Sequence, residues 1–513
     1  MTPRPAGRTL SLADGVPSRG PSSRHVTKKS VMNIHAPVAL DTLNRLREAA
    51  GPGGVVEGPD TEPYCVSWRD NWTGTTPLVL RPDSTARVAE IMKICAETGT
   101  FVVPQGGNTG LTGGGQPRQN GLDVVLSTSR LKAVREVDVL NDTITVEAGV
   151  TLLDVQHRAA EVNRYFPLSL AAEGTCQIGG NLSTNAGGTA VLRYGNMRDL
   201  VLGMEVVLPD GRVFSSLRGL RKDNTGYDLK HLFVGAEGTL GIITAAVLKL
   251  MPQPRASAVA FIAVESPDAA VKLLGEARQL AGPAVTAFEL ISAPALDLVL
   301  EYLGDTASPL PERHDWMVLV ELTSGADEEA LNATLMQILE SGLERGWVKD
   351  AAVAASGADA QTFWRIREEI SDAQTRTGGS IKCDVSVPLS RIAEFIGNAS
   401  ARVLALEPAT RMVIYGHMGD GNVHFNPLRP KDRSAADFLG QWYKPVSDLV
   451  DGLAHAENGS ISAEHGIGVA KRDDLRQYKS QVELELMWQV KRALDPKNLL
   501  NPGRVLPGLD SPK

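Results

Sequence analysis

Two histidines, His417 and His424, flank an Asp-Gly pair in the stretch YGHMGDGNVHFN. The runs on either side, MVIYGH and VHFN, are rich in β-branched and aromatic residues. Asp-Gly between such runs predicts a hairpin, because a type I′ turn needs positive φ at both central residues. With Asp420 and Gly421 as the turn, counting outward sets Gly419 opposite Asn422, Met418 opposite Val423 and His417 opposite His424. Opposed side chains lie roughly 4.5–5.5 Å apart at Cβ, near enough to share one metal ion. Tyr415 then faces Asn426 on the same side of the ribbon. Further on, AEHGIG (463–468) offers Glu464 and His465 in a short glycine-bounded loop. His417, His424 and Glu464 form a His₂Glu set with an open position, the form a catalytic zinc site takes; Mn²⁺ and Fe²⁺ suit the same donors. The competing reading is an exposed cross-strand histidine pair and a Glu-His helix start.

A second chemistry is written in glycine, 50 of 513 residues and strongly clustered. The clusters are PQGGNTGLTGGGQP (104–117), EGTCQIGGNLSTNAGG (173–188) and VGAEGTLGIIT (234–244). Glycines strung with Ser, Thr and Asn let successive backbone N–H groups converge on an anion, most often a phosphate. One such cluster is equally well a mobile surface loop; three in one region point to a large phosphate-bearing ligand. G-x-G-x-x-G and G-x-x-x-x-G-K-[ST] are both absent, which removes the main support for a Rossmann NAD site or a P-loop. A dinucleotide held by several separate loops remains, with FAD as the candidate.

These loops need a scaffold, and the chain is long enough for two or three domains. Hydrophobic residues at 42% and charged residues at 22% describe a folded protein. A net charge of −8, without a basic patch interleaved with aromatics, argues against nucleic-acid binding. No apolar run approaches the roughly 20 residues that span a bilayer. The four cysteines show no CxxC spacing and read as reduced thiols, consistent with a cytoplasmic protein. Residues 1–31, rich in Arg, Ser, Pro and Gly, read as a disordered tail or as the product of a start codon placed too early, with Met32 opening the folded part. The alternative is a mitochondrial transit peptide.

The expected architecture is α+β. A cofactor domain spans 32–254, with its core at about 70–254. It opens with a helix over 39–50 that buries Leu40, Leu43 and Leu46. A strand-helix-strand unit follows, its helix capped by Asp83 or Ser84 and buried through Val88, Ile91, Met92 and Cys95. Asp210-Gly211 marks another hairpin. From 255 to 433 two β-α-β halves, the first helix starting at Ser266-Pro267, predict a ferredoxin-like cap domain that ends in the histidine hairpin. A helical segment, 434–513, closes the chain.

PQGGNTGL, IGGNLSTNAGG with RYGNMRD, KDNTGYDLKHLFVGAEGTLGIIT, GHMGDGNVHFN, AEHGIG and LDPKNLLNPGR together resemble the FAD-linked D-2-hydroxy-acid dehydrogenases of the vanillyl-alcohol-oxidase-type superfamily. The D-2-hydroxyglutarate dehydrogenase branch is most similar, with D-lactate dehydrogenases near it. The resemblance covers nearly everything after residue 60. It implies a PCMH-type FAD-binding fold and loops that hold FAD through Gln105, Gly106, Gly107, Asn108, Thr109 and Gly110. A second group implied for FAD is Thr175, Gly179, Gly180, Thr184, Asn185, Gly187 and Gly188, joined by Gly238, Ile243 and the returning Asn501. Some relatives link FAD to a histidine in the first loop; this chain has none there, so noncovalent FAD is expected. The resemblance also implies a divalent metal, usually zinc, on His417, His424 and Glu464.

The reaction this predicts is oxidation of a 2-hydroxy acid. Flavin N5 takes the hydride, the metal lowers the pKa of the hydroxyl, and His465 is the expected general base. Asn426, on the ligands' face of the ribbon, is expected to hold substrate. Arg367 and Ser371 lie one helical turn apart, and Lys382 lies in a following strand. In dicarboxylate-using relatives an Arg, a Thr and a Lys at these places grip the distal carboxylate, and here Ser replaces Thr. Arg367 paired to a nearby Glu, or Arg365 turned inward instead, are the competing arrangements. An oxygen-using oxidase, or a metal-dependent hydrolase or oxygenase without flavin, are the other functional readings. The electron acceptor fits an electron-transfer flavoprotein, a quinone or a cytochrome, and a homodimer is expected.

Overall fold

The computed structural model describes residues 37–69, 72–325 and 327–508. The expected tail, 1–31, lies outside the described residues. The first sheet runs Val55–Val56, Val79–Leu80, Asp123–Ser127, Phe101–Gln105, with the last three parallel. Helix Thr85–Thr98 carries the crossover from Val79–Leu80 to Phe101–Gln105, two parallel strands with Asp123–Ser127 between them. Ser84, rather than Asp83, caps it by accepting from the Arg87 N–H, and the predicted stripe of Val88, Ile91, Met92 and Cys95 is buried. The preceding helix, Leu40–Ala50, is rotated from its expected setting. It buries Thr42, Leu46 and Ala50, an i, i+4, i+8 face, while Leu40 is 69% exposed.

A second, antiparallel sheet has the order Val134–Asp138, Thr143–Glu147, Ile242–Lys249, Val201–Val207, Val213–Ser216. Its last hairpin turns at Asp210-Gly211 as predicted, with Leu208 N–H donating to the Arg212 carbonyl at 2.8 Å and Gly211 at φ 84°. One large core underlies both sheets.

Seven antiparallel strands form the third sheet, in the order Val348–Val353, Ala256–Val264, Trp316–Ser324, Val285–Ser292, Arg411–His417, Asn422–Leu428, Cys383–Ser386. The first four reproduce the ferredoxin-like order, fourth-first-third-second, so the two β-α-β halves are real. Ser266 accepts from Ala269 N–H to cap helix Pro267–Ala281. Helices cover both faces: Ala258, Ala260 and Ile262 join one core, and Val259, Phe261 and Ala263 join the other. Burial on both sides explains why SAVAFIAV reads as an unbroken apolar run rather than an alternating one.

The histidine hairpin departs from its predicted register. Tyr415, not His417, stands opposite His424, and Val413 stands opposite Asn426. His417 instead pairs across to Glu289 on the strand at its other side. The chain does not reverse in two residues: Met418–Asp420 form a 3₁₀ turn that ends at Gly421, φ 87°. Met418 is fully buried in the core beneath the sheet, and the Gly419 carbonyl accepts from Arg278 Nη2 at 2.8 Å. Tertiary anchoring therefore outweighs the local turn preference. The slip is two residues, so each side chain keeps its predicted face.

After the hairpin come helix Ala435–Ala456, a loop carrying AEHGIG, and helix Gln481–Leu494 with a Ser480/Glu483 capping box. The tail then lies along the first sheet. Val102 N–H donates to Leu499 O at 2.9 Å, and Asn501 N–H donates to Val102 O at 2.8 Å. No helix among the described residues is long and apolar enough to cross a membrane.

Candidate active site

A cavity of about 700 Å³ lies between the glycine loops and the seven-stranded sheet. That volume is in the range of small-molecule and cofactor sites, roughly 300–1,000 Å³. Gln105, Gly106, Gly107, Asn108, Thr109 and Gly110 line one side, continuing into Gly180, Thr184, Gly187 and Gly188. Two kinds of glycine are present. A Cβ on Gly107 would sit 2.0 Å from the Thr175 carbonyl oxygen, so glycine there lets two loops touch. A Cβ on Gly110 or Gly180 would meet no protein atom within 4 Å, and since both line the cavity it would occupy ligand space. A backbone cradle of this kind fits an extended dinucleotide.

The remaining residues expected at FAD do not line this cavity. Thr175 is exposed and supplies the carbonyl against Gly107. Gly179 packs on Ala148, Gly238 on Pro104, and Ile243 is buried in its strand. Asn185, at φ 51°, accepts from Arg198 N–H through its side chain. Asn501 is buried and donates to the carbonyls of Gly114 (2.9 Å) and Glu237 (2.8 Å), bracing the glycine loops from behind.

On the opposite wall, ligand atoms of His417, His424 and Glu464 lie within 4.8 Å of one another. Each imidazole presents Nε2 to Glu464, at 3.6 Å from His417 and 3.9 Å from His424. The Nδ1 atoms face buried carboxylates instead: His417 lies 2.9 Å from Glu289, and His424 lies 3.6 Å from Asp384. A carboxylate behind each imidazole fixes its ring and tautomer, as metal-ligating histidines require. The donor set therefore fits a divalent cation. A Cβ on Gly187 would come 3.3 Å from Glu464 Oε1, which places the cluster against the cofactor loops.

Asp384 organises more than His424. Its Oδ2 accepts from the N–H groups of Glu464 (2.9 Å) and His465 (3.0 Å), and its Oδ1 from Asn422 Nδ2 (2.8 Å). His465 Nδ1 lies 3.5 Å from the same carboxylate, and its ring stacks on His424 with centroids 6.2 Å apart. From the other side, Glu237 accepts from Ile467 N–H (2.7 Å) and Gly468 N–H (2.9 Å). Burial would raise these acids, and facing charge overturns it for two of them. The imidazoles of His465 and His424 hold Asp384 below the ordinary carboxylate range, and His417 with Arg367 holds Glu289 at about 2. His424 is pushed down to about 3 by burial, against the pull of Asp384.

The residues expected to grip substrate come together in this cavity. Arg367, Ser371, Lys382 and Asn426 all line the cavity. Arg367, not Arg365, turns inward; Arg365 is half exposed and lies 3.5 Å from Asp305. The helix breaks at Glu369, so Arg367 and Ser371 stand on the successive helices Gly357–Glu368 and Ile370–Thr377. Arg367 donates through Nε to Glu289 at 2.8 Å and covers the Tyr415 ring. Lys382, just ahead of strand Cys383–Ser386, is pushed down to about 7 by burial and by Arg69. The Asn426 carboxamide is engaged within the protein, accepting from Cys383 N–H and donating to Gln374.

Residues 76–216 match the family described as FAD binding domain, and residues 253–505 that described as FAD linked oxidases, C-terminal domain. The probable mitochondrial D-2-hydroxyglutarate dehydrogenase of Oryza sativa subsp. indica is 38% identical over 488 residues, which is 95% of this chain and 85% of the relative. The chain belongs to the FAD-linked D-2-hydroxy-acid dehydrogenases. Among bacterial members, the D-2-hydroxyglutarate dehydrogenase of Xanthomonas citri pv. viticola is 38% identical over 89% of this chain and 94% of its own. The fold of the FAD-linked dehydrogenase is that of p-cresol methylhydroxylase: TM-score 0.72 at 17% identity, with 92% of this chain and 98% of that one covered.

Glu289, Asp384, Glu237 and Arg69 are the dehydrogenase residues that sequence reasoning missed. Glu289 and Asp384 are single acids within apolar strands, AFELIS and KCDVSVP. An isolated carboxylate in a strand buried on both faces demands a partner, and that was the available signal.

Proposed function

We propose that this FAD-linked dehydrogenase oxidises a D-2-hydroxy dicarboxylate, D-2-hydroxyglutarate foremost, to the 2-oxo acid, with a divalent metal on His417, His424 and Glu464. The observation that carries this reading is the sharing of one cavity by the glycine cradle, the His₂Glu cluster and the Arg367/Ser371/Lys382 group. Bound FAD supplies the hydride acceptor, and a bound divalent cation supplies charge that favours the ionised hydroxyl. His465 takes the hydroxyl proton at Nε2, since Asp384 faces its Nδ1 and sets the tautomer. Asp384 and Glu237 hold the loop that carries this base. Lys382 and the outer edge of Arg367 receive the distal carboxylate, and Ser371 adds a hydroxyl. The names of the rice and Xanthomonas relatives support the same substrate.

Anaerobic flavin bleaching tests the proposal. The enzyme is mixed with D-2-hydroxyglutarate, L-2-hydroxyglutarate or D-lactate, before and after chelation, and again after metal is restored. Fast bleaching by the D-dicarboxylate, lost on chelation and regained with metal, is expected. Equal bleaching by D-lactate would remove the dicarboxylate preference, and insensitivity to chelation would remove the metal.

A further inference from the structure

The cavity holds a cation that the clamp does not include. Arg69 lines it beside Ser371 and donates to the Ser371 hydroxyl from Nη2 at 3.1 Å. Its guanidinium carbon lies 4.8 Å from the Trp68 ring centroid, so one face is covered by an aromatic surface. The Nε is buried with no hydrogen-bond partner among the protein groups. Among the described residues, neither Arg69 nor Lys382 has a carboxylate within ion-pairing distance, although Asp372 acts on both from further away. Arg367 differs: Glu289, itself 0% exposed, lies 2.6 Å from its Nη2 and offsets its charge. Arg69 and Lys382 are therefore the two cations lining this end of the cavity without a close carboxylate partner among the described residues. Two such cations are held close at a cost. Burial lowers the pKa of both, and Arg69 adds to the lowering at Lys382. An anion between them would relieve that cost.

We propose that Arg69 binds the distal carboxylate of the substrate together with Lys382 and is the residue that selects dicarboxylates over monocarboxylates. This rests on the dicarboxylate reading above and deepens it. A guanidinium presents a planar fork to a carboxylate, whereas an ammonium acts as a point charge. The pair thus supplies orientation from Arg69 and charge from Lys382, and the Ser371 hydroxyl holds Arg69 in place. Arg367 keeps its outer edge toward the substrate while it holds Glu289 behind His417 and covers Tyr415.

The test compares wild type, Arg69→Met and Arg69→Lys as holoenzymes. Steady-state rates are taken with D-2-hydroxyglutarate and with D-lactate, and binding of the unreactive acids glutarate and butyrate is read from flavin absorbance. In Arg69→Met, KM for D-2-hydroxyglutarate and Kd for glutarate should rise roughly 10- to 100-fold, as loss of a charged hydrogen-bond pair implies. Its kcat, and its kcat/KM for D-lactate, should stay within about twofold of wild type. Arg69→Lys should recover part of the glutarate affinity. Equal losses with D-lactate and D-2-hydroxyglutarate, or no loss with either, would overturn the role of Arg69. If wild type fails to oxidise D-2-hydroxyglutarate, the function proposed above fails. The glutarate and butyrate affinities then decide Arg69 separately: selective weakening of glutarate upholds it, and unchanged glutarate binding overturns it.

Discussion

Replacing Lys382 with methionine probes the cavity's charge through both stability and catalysis. The ammonium is partly buried, and burial with Arg69 nearby moves its pKa from 10.5 down to about 7. A displacement of that size corresponds to about 5 kcal/mol, an upper bound since water reaches the cavity. The folded pKa lies below the unfolded one, so between these values the unfolded chain binds more protons. Wild-type stability is therefore lowest below pH about 7 and recovers as pH rises toward 10.5. Methionine fills similar volume and has no proton to lose. For a chain of 513 residues the unfolding entropy near Tm is about 1.1 kcal/mol/K, so ~5 kcal/mol amounts to about 4–5 °C. Lys382→Met should melt several degrees above wild type at pH 6.5, with the gap closing to about 1 °C at pH 9.5. Flavin-release melting curves at the two pH values check this. In catalysis, wild-type kcat/KM for D-2-hydroxyglutarate should fall as pH rises through about 7, because the free enzyme loses the lysine charge. The variant should be slow and lack that limb. A gap in Tm that does not change with pH, or a limb that persists in the variant, would refute the reasoning.

Two further outcomes follow from the geometry. Asp384→Asn keeps the shape but turns an amide toward the N–H groups of Glu464 and His465; metal affinity should drop roughly 10- to 100-fold with FAD retained, and full metal content at the wild-type rate would contradict this. Gly107→Ala drives a Cβ to 2.0 Å from a backbone oxygen, so the purified protein should lose flavin; a flavin-to-protein ratio equal to wild type would count against the cradle.

The sequence carried most of the chemistry and little of its support. Alternation around Asp420-Gly421 gave the correct face for His417, His424 and Asn426, because a face depends only on period two. It gave the wrong register, because the turn is set by Met418 burying into a core formed by distant strands. Asp210-Gly211 does close a hairpin, through a three-residue loop in which Gly211 alone takes positive φ. The ferredoxin-like order was readable from the cap at Ser266-Pro267 and from strand-helix alternation. The positions of Glu289 and Asp384 behind the histidines depend on which strands become neighbours, and local pattern does not encode that. Asn501 was expected at the flavin; through Nδ2 it donates to two carbonyls and braces the glycine loops.

The loop with Glu464 and His465 hangs between two acids from different parts of the fold. Asp384 stands on the seven-stranded sheet, and Glu237 leads into the strand Ile242–Lys249 of the cofactor region. Neither region alone fixes the loop. The reaction centre is thus a property of the joint, and the two parts are not interchangeable modules. A chimaera that exchanged the cap sheet for that of a distant relative would have to bring its own AEHGIG loop and the matching acid on the other side. Residues 253–505 grafted by themselves would carry His417, His424 and Glu464 without the Glu237 carboxylate that holds Ile467 and Gly468. Arg69, Ser371 and Lys382 stand outside that joint, since none of them bonds to the AEHGIG loop, to Asp384 or to Glu237 among the described residues.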